Sequence, residues 1–161
     1  MFDEQGSPRL YANILLSTDG SDVARKGVKD GLALAKALNA KVTVITVTEP
    51  LPIYLGTGFD SGWIPSKDEI DSFDAVCEEF AGKVLNEARA MAEQSGISAE
   101  LLHVSNEHPA TAIIETAKSR GCDLIVMASH GRDVLRKLLL GSQTSEVLAS
   151  GTVPVLVVPR T

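Results

Sequence analysis

The chain has 161 residues, 44% of them apolar but only 4% aromatic, and 21 acidic against 15 basic side chains give it a formal net charge of −6. That length suffices for one domain with an aliphatic core and no metal or disulfide staples. The acidic balance excludes broad nucleic-acid binding and an anionic membrane surface as partners. No apolar run approaches the roughly 20 residues of a membrane helix. The start, Met1-Phe2-Asp3-Glu4, lacks the basic and apolar stretches of a secretory leader. Cys77 and Cys122 have no CxxC spacing, so free thiols in a reducing cytoplasm are expected.

Ala12 to Ser17 reads as a first strand buried on both faces. A helix follows from Asp22 to Leu38, with Ser21 as N-cap and Asn39 as a left-handed stop. Its inner stripe is small: Ala24, Gly27, Val28, Gly31 and Ala35. Two glycines at i, i+4 predict a helix lying unusually close to the sheet. Val42 to Thr48 reads as the second strand. Pro50 to Pro65 is irregular and holds Tyr54, Gly56, Gly58, Phe59, Gly62 and Trp63, the composition of a lid or contact surface. Its glycine spacing mimics a dinucleotide fingerprint, but it opens no helix at a strand end and is read as a decoy.

Ser66-Lys67-Asp68-Glu69 is a capping-box signature. The long helix it starts repeats Ile70, Phe73, Cys77, Phe80, Val84, Ala88 and Met91 at steps of three and four and ends at Gly96, a core-facing stripe rather than a coiled-coil seam. Ala99 to Val104 is the third strand. Pro109 opens a helix that buries Ile113, Ile114 and Ala117 and stops at Gly121. Leu124 to Ala128 is the fourth strand, Thr144 to Ala149 a short helix, and Val153 to Val158 the fifth strand. Alternation of this kind means parallel βαβ units, helices on both faces of an open sheet, and one domain over residues 1–161.

Ligands of such sheets bind at the carboxyl ends of strands where the winding reverses. The first strand ends in Ser17-Thr18-Asp19-Gly20 and the fourth in Met127-Ala128-Ser129-His130-Gly131. If they are neighbours, Asp19 can accept ribose hydroxyls or join a magnesium shell. A two-glycine loop running into Gly141-Ser142-Gln143-Thr144 is a recipe for phosphate: glycine admits close approach, a helix start offers amide donors, and the hydroxyls of Ser142 and Thr144 add more. Arg132 adds charge or is merely solvated. Each residue also has a bland role as turn former or helix-flanking acid. His130 has no paired carboxylate or nucleophile nearby and reads as a donor to backbone or phosphate rather than a base. His103 and His108 are too isolated to suggest a metal site. There is no GxxxxGK[ST] and no hydrolase triad.

Three features together resemble the universal stress protein family over about Ala12 to Pro159. They are the opening strand into Thr18-Asp19-Gly20-Ser21; His108-Pro109 leading to Cys122-Asp123-Leu124-Ile125-Val126-Met127; and a G-x2-G-x9-G-[ST] motif followed by Val153-Pro154-Val155-Leu156-Val157-Val158. The motif matches at Gly131 and at Gly141-Ser142, while Ala128 replaces its first glycine. The expected cost is a β-carbon that crowds a phosphate or restricts the loop. The resemblance implies the adenine nucleotide alpha hydrolase-like fold, with a five-stranded parallel sheet of order 3-2-1-4-5. It also implies a homodimer and ATP or AMP, with magnesium, across the tips of strands 1 and 4. Ser17, Thr18 and Asp19 would line the adenosine end, Val47 would flank the adenine, and Met127 and Ala128 would touch the nucleoside. Gly131, Arg132, Gly141, Ser142, Gln143 and Thr144 would hold phosphates. Val153, Val155 and Val157 would pair the last strand with a second copy, since an apolar edge strand is a liability unless paired. Three readings stay open: a cytoplasmic nucleotide-binding stress or signalling protein, a slow ATP-hydrolysing or adenylating enzyme, and an interaction module that has lost its nucleotide.

Overall fold

A computed structural model describes residues 10–52, 64–129 and 140–159. Along these, β1 (Asn13–Ser17), α1 (Asp22–Leu38), β2 (Lys41–Thr48), α2 (Lys67–Gln94), β3 (Ala99–Ser105), α3 (Pro109–Ser119), β4 (Leu124–Ala128), α4 (Ser142–Ser150) and β5 (Val155–Val158) follow in order. The strands form one parallel sheet of order β3-β2-β1-β4-β5, as expected. Leu16 of β1 lies opposite Val44 of β2 and Val126 of β4. From β1 the chain winds toward β2, and from β4 it winds the other way toward β5. The carboxyl ends of β1 and β4 therefore flank the reversal.

Period-two alternation sends side chains to two cores. Ile14, Leu16, Val42, Val44, Leu124 and Val126 meet Val28 and Leu32 of α1 and Ala88 and Ala92 of α2. On the opposite face Leu15, Ile45, Ile125 and Met127 meet Ala110, Ile113 and Ala117 of α3 and Val147 of α4. Local signals set the helix ends. The Ser21 hydroxyl accepts the Ala24 amide at 3.2 Å, and Asn39, at φ 50°, donates its amide to the last carbonyls of α1. Both bonds of the Ser66–Glu69 capping box are made. The Ser66 amide, then its hydroxyl, hold the Glu69 carboxyl below the usual range.

Beyond one-residue shifts at strand ends, three features differ from expectation. The buried residues of α2 (Ala81, Val84, Ala88 and Ala92) all fall in its second half, and Ile70 is exposed. A helix of 28 residues is about 42 Å long, whereas the 8 residues of β2 span about 26 Å. The stripe therefore outruns the sheet it covers. β5 begins at Val155, not Val153, because Pro154 has no amide to donate; its carbonyl still accepts Ile125 N–H at 2.9 Å. α4 is longer than expected, starting at Ser142 behind Gly141. Of the irregular segment, residues 53–63, with Tyr54 and Trp63, lie outside the described residues.

Candidate functional site

At the β1 tip, the Thr18 amide donates to the Ile45 carbonyl at 3.0 Å, carrying the ladder one residue past the strand. The turn that follows is closed by its own side chains: Thr18 Oγ1 accepts Gly20 N–H at 3.2 Å, and Asp19 Oδ1 accepts Ser21 N–H at 3.0 Å. Gly20 is required twice over. Its φ is +75°, and a β-carbon there would meet Val84 Cγ2 at 2.7 Å. Arg25 fastens this turn to both helices on its face. Its Nη1 donates to the Gly20 carbonyl and its Nε to Glu87 Oε1 of α2, both at 2.8 Å.

At the β4 tip, Ser129 N–H donates to the Val158 carbonyl at 2.9 Å, and the Ser129 carbonyl accepts Gly141 N–H at 2.8 Å. Thr144 Oγ1 donates to the Ala128 carbonyl at 3.0 Å. The start of α4 is thus stitched to the end of β4. Gly141 is the N-cap and offers no side-chain acceptor, so the first-turn amides of α4 form a helix start with its positive dipole end at the strand tip. The same turn reaches α3. Gln143 Oε1 accepts Ala110 N–H at 2.9 Å, and the His108 ring nitrogen Nε2 bonds Glu146 Oε2 at 2.7 Å. His108 Nδ1 also lies 3.9 Å from Glu49 Oε1, just past β2.

The fold thus gathers Ser17, Thr18 and Asp19 on one strand end, Met127 and Ala128 on its neighbour, and Gly141 to Thr144 on the helix stitched to that neighbour. Val47 stands one strand further out, half-buried against the core that Met127 enters. Two of the expected phosphate contacts have structural work of their own: the Thr144 hydroxyl is buried on a backbone carbonyl, and the Gln143 amide caps α3. Ser142 is exposed. His130, Gly131 and Arg132 lie outside the described residues. Sequence reasoning missed Arg25, Glu87 and Glu146 and the ties that Gln143 and His108 make. Apart from the Arg25–Gly20 bond, their partners stand 33 to 62 residues away, beyond any local pattern.

Outside these two tips, Thr46 Oγ1 on β2 is buried with no hydrogen-bond partner among the described residues. Thr48 Oγ1 and His103 Nε2 are hydrogen-bonded at 2.8 Å. Burial, then the Asp123 carboxylate, pushes the Cys122 thiol up to about 11; burial and then Asp74 raise Cys77. Neither has the lowered pKa of a reactive thiolate. A shallow recess lined by Asn13, Lys41, Ser98 and Glu100 sits at the amino ends of the strands, far from the winding reversal, where Arg120 and Glu100 neutralise each other.

The universal stress protein family model matches residues 10–159. The chain belongs to the universal stress protein family. Among curated relatives of this universal stress protein, one from Thermus aquaticus is 34% identical, over 92% of this chain and 99% of its own length. The universal stress protein MJ0531 of Methanocaldococcus jannaschii is 31% identical, over 94% of this chain and 84% of its own. A solved universal stress protein in complex with cAMP is 25% identical and superposes with a TM-score of 0.64, covering 92% of this chain and 97% of that one. Among the described residues no helix is long and apolar enough to cross a membrane.

Proposed function

We propose that this universal stress protein binds an adenine nucleotide, ATP or AMP, across the tips of β1 and β4. The bound state would govern its partners in a cytoplasmic stress or signalling response. The observation that carries this reading is the stitching of the α4 start to the β4 tip, beside the β1 tip with its carboxylate. A helix start next to a strand end at a winding reversal suits an anion. The cAMP complex of a relative supports a nucleotide as that anion.

In this reading Ser17 and Asp19 serve the ribose, and Val47 and Met127 give the adenine an apolar wall. Gly141, Ser142 and the first-turn amides of α4 serve the phosphates, with Gly131 and Arg132. In this reading Asp19, whose Oδ1 holds the Ser21 amide, also takes a ribose hydroxyl or a magnesium ion. Gln143 and Thr144 act through their side-chain ties, which hold the α4 start in place. A second copy would pair with β5. Val153 and Val155 pack into the core beneath, whereas Leu156 is 41% exposed, so Leu156→Glu is the cleaner probe of that edge.

Mass spectrometry of protein denatured directly after purification tests the proposal. ATP or AMP is expected with the wild type and is depleted at least tenfold from Asp19→Asn. That substitution keeps the Oδ1 acceptor of the turn and removes the charge. No nucleotide with either protein, and no uptake on adding ATP, AMP and magnesium, would overturn it.

A further inference from the structure

Ala128 is the one position among the described part of the phosphate motif where a side chain replaces a glycine, and two observations bear on what its methyl does. First, Ala128 ends β4 in extended backbone and is not among the residues of positive φ, so nothing in its conformation calls for glycine. Second, alternation along β4 sends Val126 and Ala128 toward α1, and α1 presents Gly31 and Gly27 to them. A β-carbon built on Gly27 would lie 3.4 Å from the Ala128 amide nitrogen and 3.7 Å from its methyl carbon. The methyl therefore points toward α1, across a gap that a β-carbon on Gly27 would fill at ordinary contact distance. The Ala128 carbonyl is meanwhile fixed by the Thr144 hydroxyl at the α4 start.

We infer that Ala128 leaves the nucleotide crevice open, because its methyl is directed at Gly27 and away from the crevice, and that Gly27 is a positioning residue for the phosphate-binding end of the site. This rests on the nucleotide-binding reading. The α1 face absorbs the extra carbon, and the strand tip keeps the path that carries its carbonyl to Thr144. A larger side chain at 27 would push against the Ala128 amide and methyl together, displacing the anchor of the α4 start.

The test is a double-mutant cycle on Gly27→Val and Ala128→Gly, read by ATP affinity with magnesium and by thermal unfolding. Ala128→Gly alone should leave the dissociation constant within threefold of wild type. Gly27→Val should weaken ATP at least tenfold and lower the unfolding midpoint. Combining it with Ala128→Gly should recover part of both losses. Tenfold tighter binding by Ala128→Gly would overturn the inference, since the methyl would then face the ligand. So would additive unfolding losses, which would show that residues 27 and 128 do not share one space. If no variant binds any nucleotide, the functional reading fails, and the unfolding cycle still decides the seating of the methyl.

Discussion

α1 and α4 approach the sheet in opposite ways. α1 is held by volume: its buried positions are Ala24, Gly27, Val28, Gly31, Leu32 and Ala35, and a β-carbon on Gly31 would come within 2.5 Å of Leu16 Cδ2. α4 buries only Thr144 and Val147 and is held by donors and acceptors: Thr144 to the Ala128 carbonyl, Gly141 to the Ser129 carbonyl, Gln143 to the Ala110 amide and Glu146 to His108. A helix fixed by volume resists an added atom where the fit is tightest, as at Gly31. A helix fixed by hydrogen bonds tolerates a change of size but not the loss of a donor. The proposed phosphate donors ride on the second kind.

Substitutions that add volume on one side and remove donors on the other test this contrast. The largest effect is expected on α1. Gly31→Val should cost about 3 kcal/mol in urea unfolding, because the overpacked contact is with a fully buried leucine. Gly31→Val leaving stability unchanged would mean that α1 is free to lift. On α4, Thr144→Val keeps the shape and orphans the Ala128 carbonyl, an expected loss of about 2 kcal/mol that Thr144→Ser should largely restore. Equal losses for the two variants would remove the hydroxyl from the account. Gln143→Ala deletes the acceptor that caps α3 and should cost about 1 kcal/mol by chemical denaturation.

The effect confined to high pH is a slope. The Cys122 thiol ionises near its ordinary 9.0 when unfolded and near about 11 when folded. Between those values the folded state holds the proton that the unfolded state has lost, so stability falls as pH rises through that window. Cys122→Ala should flatten the fall relative to wild type; a slope unaltered by it would assign the pH response to other groups.

Where signals are local, the sequence spoke clearly. Ser21, Asn39 and the Ser66–Glu69 box bound their helices where expected, because each makes its bonds within five residues. Alternating apolar runs and helical periods announced a parallel sheet, and the family motifs its order. The apolar stripe of α2 said nothing of where β2 and β3 end, so it did not reveal which half would be covered. At the site, spacing identified hydroxyl and amide side chains near a helix start, but not which carbonyl Thr144 or which amide Gln143 would find. Ala128 shows the same limit. Its identity is readable as a departure from a motif, whereas the direction of its methyl depends on β4 alternation and on α1 lying opposite.

Thermal unfolding with and without ATP and magnesium asks whether the adjoining tips of β1 and β4 hold an adenine nucleotide. Binding to the native state alone stabilises it by about 2.7 kcal/mol at a hundredfold excess over the dissociation constant, or roughly 5–10 °C in midpoint for a domain of this size. That rise is expected for the wild type, and its loss in Asp19→Asn. A wild-type midpoint unmoved by millimolar ATP or AMP, in protein shown to carry no nucleotide beforehand, would contradict it.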